Sequence, residues 1–241
     1  MMIILPFVFH IISGLHPVNT TLVCKVDPCE EAKAGTAAAT QFAKDSLFHF
    51  ALLNIKASYA SDQNEHCISF GKDAEGNLIA SSISGGGAIS GKVPVISNAF
   101  ADLHNHPNNL PPDAGDFYGL IRMCKNNPAY KTRFVVTINE NIYALLVTDI
   151  SAALTFIEIH PPQLPAFADG PSGFSVGITD EAREMKFKYQ CTDEMALAFI
   201  LEKYNTGVCL LRLENSGHFK KLVTVVSYKG NEPVYSILNC R

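Results

Sequence analysis

Two histidines one residue apart, a proline, and then an aspartate opening an amphipathic stretch limit the folds open to this chain more than any other feature. The letters are His104-Asn105-His106-Pro107, with Asp116 ten residues after His106. Val95–Leu103 reads as a strand that runs directly into His104. On a strand, positions i and i+2 share a face, so both imidazoles leave on the same side. The stretch Pro107 to Pro112 must be a loop. Asp113 then offers an N-cap, and Phe117, Leu120, Ile121 and Cys124 recur at helical spacing. A strand end, a loop and a helix start bring the Asp116 carboxylate back beside the two rings.

The flanking sequence supplies the rest of an α/β unit. Glu30 to about Ala60 reads as one helix, rich in Ala, with Phe42, Leu47, Phe50 and Leu53 near helical spacing. Short strands at Cys67–Phe70 and Leu78–Ser82 form a hairpin, and the glycine-rich stretch 85–91 reads as a flexible connector. Phe134–Ile138 and Ile142–Val147 form a second hairpin across Asn139-Glu140-Asn141, and a short helix follows at Ala152–Ile159. Pro161 through Gly173 holds four prolines and two glycines and reads as a linker. Beyond it, one or two helices are expected over Asp180–Lys188 and Asp193–Tyr204, and strands near Val208–Leu213, Leu222–Tyr228 and Val234–Leu238. The expected organisation is an N-terminal apolar segment over 1–29, an α/β core over 30–160 and a small C-terminal α+β extension over 170–241.

Two histidines and one aspartate leave a fourth tetrahedral position for water, the pattern of a catalytic and not a structural zinc site. Such a site lowers the pKa of its water and polarises a carbonyl, and it needs a separate general base. The segment resembles the JAMM (MPN-type) signature, a glutamate ahead of H-x-H-P, a loop, P-S-x-x-D and a helix. RadC-like proteins share the HNHP spelling. The matching residues are His104, His106, Pro107, Pro112 and Asp116, and Glu65, 39 residues before His104, stands where the family's glutamate precedes an early strand. The resemblance covers residues 30–160. It implies a mixed sheet flanked by helices (cytidine-deaminase-like), a Zn²⁺ ion on His104, His106 and Asp116, and Glu65 as general base. It also implies a metalloprotease or isopeptidase whose substrate is a peptide, a protein or a conjugate. Glu75 is the rival for the base, but it falls in the turn of the first hairpin.

This chain departs from the family where Ser usually stands in P-S-x-x-D. Asp113 occupies that position, in the region expected to meet substrate or the developing oxyanion, which an anionic side chain would repel. The loop is also a residue shorter than the commonest spacing. The alternative reading is therefore a catalytically impaired scaffold module that still holds a metal. Asp113 and Asp116 also fit N-cap and N3 of a helix, roles that need no metal.

Other features exclude more than they assign. A net charge of −4 gives no basic surface for nucleic acid. Gly86 to Lys92 spells G-x-x-x-x-G-K, but Val93 replaces the magnesium-binding Ser or Thr and Pro94 stands where a helix should follow. The seven cysteines show no CxxC pair, which speaks against a zinc knuckle and a dense disulfide framework. Cys67, Cys124 and Cys209 sit in apolar runs as small hydrophobes, and pairing of Cys24 with Cys29 stays open. Met1 to Leu15 is apolar, lacks the basic start of a secretory signal and is short for a membrane span. The cytoplasm is therefore slightly favoured over export, and no stable membrane span is expected.

Overall fold

A computed structural model describes residues 27–164 and 172–240. The apolar run 1–15, Cys24 and most of the proline-rich linker lie outside them. Among the described residues nine strands form one mixed, mostly antiparallel sheet in the order β2-β1-β4-β5-β6-β7-β8-β9, with the short β3 also pairing with β1. The strands are β1 (His66–Lys72), β2 (Leu78–Ala80), β3 (Ser84–Gly85), β4 (Ala101–His106), β5 (Thr132–Thr137), β6 (Ile142–Val147), β7 (Val208–Leu213), β8 (Phe219–Lys229) and β9 (Glu232–Asn239). Six helices accompany them: α1 (Pro28–Ala43), α2 (Ser46–Asp62), α3 (Ala114–Asn126), α4 (Ile150–Ile159), α5 (Val176–Lys188) and α6 (Asp193–Lys203). Among the described residues no helix is long and apolar enough to cross a membrane.

Alternation along the central strands sorts the core into two layers. Leu103, Phe134, Val136 and Ala144 face Ile55 and Phe48 of α2 and the alanines of α1. Tyr143 and Leu145 face Phe117, Leu120 and Ile121 of α3, with α4 and α6 behind them. Helices on both faces explain why β5 and β6 are almost wholly buried and read as near-continuous apolar runs.

Three expectations from the sequence need correction. The single helix over 30–60 is two, because Asp45 caps a new start through its carboxylate and the Leu47 N–H. The strand expected at Val95–Leu103 begins only at Ala101 and runs on through His106. Val95 is 91% exposed, and Asn98 adopts a left-handed φ of 46° that interrupts an extended chain. The glycine-rich stretch is more ordered than a plain connector. Ser84 and Gly85 pair with Cys67 and His66, and a further bridge joins Gly87 to Ser90.

The C-terminal α+β segment continues the same sheet, since β7 pairs antiparallel with β6 from Tyr143↔Arg212 to Val147↔Val208. Cys29, at the start of α1, is disulfide-bonded to Cys240. That assigns the partner of Cys29, which the sequence left open.

Among the described residues the one parallel pairing lies between β4 and β5, and α3 is the crossover between them. In such a unit the carboxyl end of the first strand and the amino end of the helix meet at the sheet edge, the place where open α/β sheets present their ligand sites. His104 and His106 end that strand, and Asp116 begins that helix.

Candidate metal centre

Alternation on β4 places Asp102, His104 and His106 on the face covered by α3, while Leu103 joins the opposite layer. All three are buried, as is Asp116. Asn105 secures the neighbouring strand by accepting the His66 N–H at 2.7 Å and donating to the Asn64 carbonyl oxygen.

The donor atoms of His104, His106 and Asp116 all lie within 4.8 Å of one another, so this buried group could hold a metal ion. The two Nε2 atoms are 3.3 Å apart. Asp116 Oδ1 lies 3.0 Å from His104 Nε2, and its Oδ2 lies 3.2 Å from His106 Nε2. These two contacts use different Asp116 oxygens, and with one ligand atom taken from each residue the set spans up to 4.8 Å.

The outer ring nitrogens decide what the inner ones are. His106 Nδ1 faces the Leu110 carbonyl oxygen at 3.1 Å, and a carbonyl only accepts, so Nδ1 carries the proton. His104 Nδ1 faces Asp102 Oδ1 at 3.6 Å, and that carboxylate favours the proton on Nδ1 electrostatically. In the neutral rings both Nε2 atoms are then lone pairs, pointed at each other and at a carboxylate. Such a cluster is repulsive in a buried place unless a cation fills it, whether extra protons or a metal.

The electrostatics lean the same way. Burial would pull the His104 pKa down, but Asp116 and Asp102 outweigh it and push it up to about 10. His106 is raised against the same burial by Asp116. Burial works against the Asp116 carboxylate, yet the two histidines hold it well below the usual carboxylate range.

Asp116 serves two structures at once. Its Oδ2 accepts the Asp113 N–H at 3.0 Å, while Asp113 Oδ1 accepts the Asp116 N–H at 3.0 Å, a reciprocal capping box at the start of α3. The capping role and the place beside both rings are thus compatible. One oxygen of Asp113 is turned onto the helix, and burial with the adjacent Asp116 raises its pKa.

Glu65 stands one residue before β1. Its backbone is clamped by the glycine-rich stretch, donating to the Gly87 carbonyl at 2.9 Å and accepting from the Gly86 N–H at 2.8 Å. Gly86 is required here, because a Cβ would collide with the Ser90 carbonyl oxygen. The Glu65 side chain is buried but shares one cavity of about 450 Å³ with His106 and Asp116. Its carboxylate makes no hydrogen bond among the described residues, and burial raises its pKa. Glu75 lies in the exposed turn, away from this cavity.

The supporting residues escaped the sequence reading. Asp102 is fully buried and receives Arg133 through Nε at 3.1 and 3.0 Å and through Nη2 at 2.9 Å. The Tyr130 hydroxyl donates to it as well. Arg133 Nη1 reaches on to the Asp116 carbonyl at 3.2 Å, so one guanidinium ties β4 to the first turn of α3. Gly119 makes room, since a Cβ there would strike Arg133 Nη1. The available signal was D-x-H-x-H over 102–106, an aspartate on the same strand face as both histidines.

Comparison of the chain with family models, curated proteins and solved structures finds no match.

Proposed function

We propose that the chain is a zinc-dependent hydrolase of the JAMM type, a peptidase or isopeptidase that cleaves an amide bond in a peptide, protein or conjugate. One observation carries the reading: of three converging, buried donors, His106 and Asp116 line the same cavity as the Glu65 carboxylate, which stands just before β1 and makes no hydrogen bond among the described residues. His104, His106 and Asp116 would hold the ion, and a set of two imidazoles and one carboxylate suits zinc better than magnesium or calcium. When bound, zinc supplies Lewis acidity and a water of near-neutral pKa. Glu65 would take a proton from the attacking water and pass it to the leaving amine, a role favoured by a carboxyl pKa that burial raises. Asp102 and the Leu110 carbonyl keep the Nδ1 atoms protonated and both Nε2 atoms aimed inward.

The same fold with a metal but no turnover is the competing reading, and Asp113 motivates it. Its engagement with the N-terminus of α3 accounts for its presence without a catalytic part, and it turns at least one oxygen away from substrate. The discriminating experiment pairs metal analysis of the purified protein with hydrolysis of a peptide library by wild type and Glu65→Gln. The expected result is one zinc per chain in both proteins and cleavage that falls by at least about a hundredfold in the variant. Zinc well below one equivalent would remove the metal site. Full zinc without Glu65-dependent cleavage would favour the scaffold.

A further inference from the structure

The cavity at the centre carries two cations that the chemistry above does not use. Lys92, at the end of the glycine-rich stretch, and Arg122, on α3, both line it and both are exposed. Among the described residues neither meets a carboxylate. The placement of Arg122 is helical and local in origin. Asp116, Gly119 and Arg122 recur every third residue on one face of α3, so ligand, glycine and arginine all look into one cavity. Lys92 lines the same cavity from the loop, directly after Gly91, whose Cβ position lies 3.4 Å from Glu65 Oε2.

We infer that this site takes substrates with a free carboxylate one residue beyond the scissile amide, so that it releases a C-terminal residue. The inference rests on the hydrolase reading and names its substrate class. Arg122 follows Asp116 by six positions, about 9 Å along the helix. Long helical side chains lean back toward the N-terminus, which returns the guanidinium toward the centre. One extended residue spans about 3.5 Å, so a terminal carboxylate attached to the leaving amine lies within reach of that guanidinium while its amide carbonyl sits at the ligands. A planar guanidinium suits a carboxylate with two parallel hydrogen bonds, and Lys92 adds a second positive charge. The step is hydrolysis: water adds to the carbonyl carbon, the C–N bond breaks, and the proton moves through Glu65 to the departing amine.

The test separates binding from turnover. N-acetylalanine and N-acetylalaninamide are titrated by NMR into wild type, Arg122→Gln, Lys92→Gln and the double variant, with and without added zinc. A peptide library with free C-termini and its amidated counterpart are digested in parallel. The expected preference for the free carboxylate is about tenfold or more in affinity and in KM, falling toward parity in the double variant. Melting temperatures confirm that these exposed substitutions leave the fold intact. Equal binding of acid and amide, or a preference indifferent to both substitutions, overturns the inference. Cleavage without preference would do the same and leave the hydrolase standing. A binding preference lost in the double variant, with no cleavage of either library, would uphold the subsite and remove the hydrolase.

Discussion

Asp113 and Asp116 sit on one turn of helix and carry different burdens. Asp113 acts as a cap, so Asp113→Ala should lose about 1 kcal/mol in urea denaturation, while Asp113→Ser keeps an oxygen for the Asp116 N–H and stays within a few tenths. Zinc content should survive in both. If Asp113→Ala empties the site, the cap and the ligand are one structure and not two. Tyr130 gives a sharper case, because its hydroxyl donates to a carboxylate with no exposure to water. Tyr130→Phe should cost about 1.5–3 kcal/mol of stability and weaken zinc affinity about tenfold through His104. Competition with a chromogenic chelator reads the second number. At this scale the centre was legible where chemistry is spelled locally: His104, His106 and Asp116 span only thirteen residues. Tyr130 and Arg133 were not, because their bonds to Asp102 close over 28 and 31 residues and exist only once β5 lies beside β4.

Within the unit β4-α3-β5 one arginine, passing over Gly119, ties β4 to the first turn of α3. Gly119→Ala puts a methyl group where Arg133 Nη1 runs, so α3 must lift or the guanidinium must leave Asp102. Overpacking of this kind costs about 1–3 kcal/mol, and the variant should also hold zinc less tightly than wild type. A stable variant with unchanged affinity would show that α3 is positioned without Arg133. The glycine-rich stretch offers the complementary case. Gly86→Ala pushes against the Ser90 carbonyl beside Glu65, so cleavage should fall while zinc stoichiometry stays at one per chain. Elements with strong periodicity were readable, and Ile142–Val147 runs over the residues expected. The junction between α1 and α2 was not, since Ala-rich helix formers continue across it and only the Asp45 carboxylate marks the new start. The start of β4 was obscured by apolar letters at 95–100 that lead into it without joining it.

Across the whole molecule, two helical layers and one sheet hold residues from both ends of the chain together. The pairing of β7 with β6 could not be read from composition, because a proline-rich stretch before it looks the same whether it joins two bodies or two strands of one sheet. Cys29 and Cys240 are joined across a separation of 211 residues. Replacing both with Ser should lower stability by about 2–5 kcal/mol, measured by denaturation at equal zinc content. Cys67, Cys124, Cys191 and Cys209 are buried, and burial raises all four thiols, Cys209 to about 12. Iodoacetamide at pH 8 should leave these four unmodified until the protein unfolds. The same cross-link makes residues 29–240 a closed covalent ring. A protease that cuts once anywhere between Cys29 and Cys240 therefore opens the ring without releasing a fragment. The nicked protein keeps its full mass until a reductant is added, and a comparison of reduced with unreduced digests separates breakage of the backbone from loss of a part.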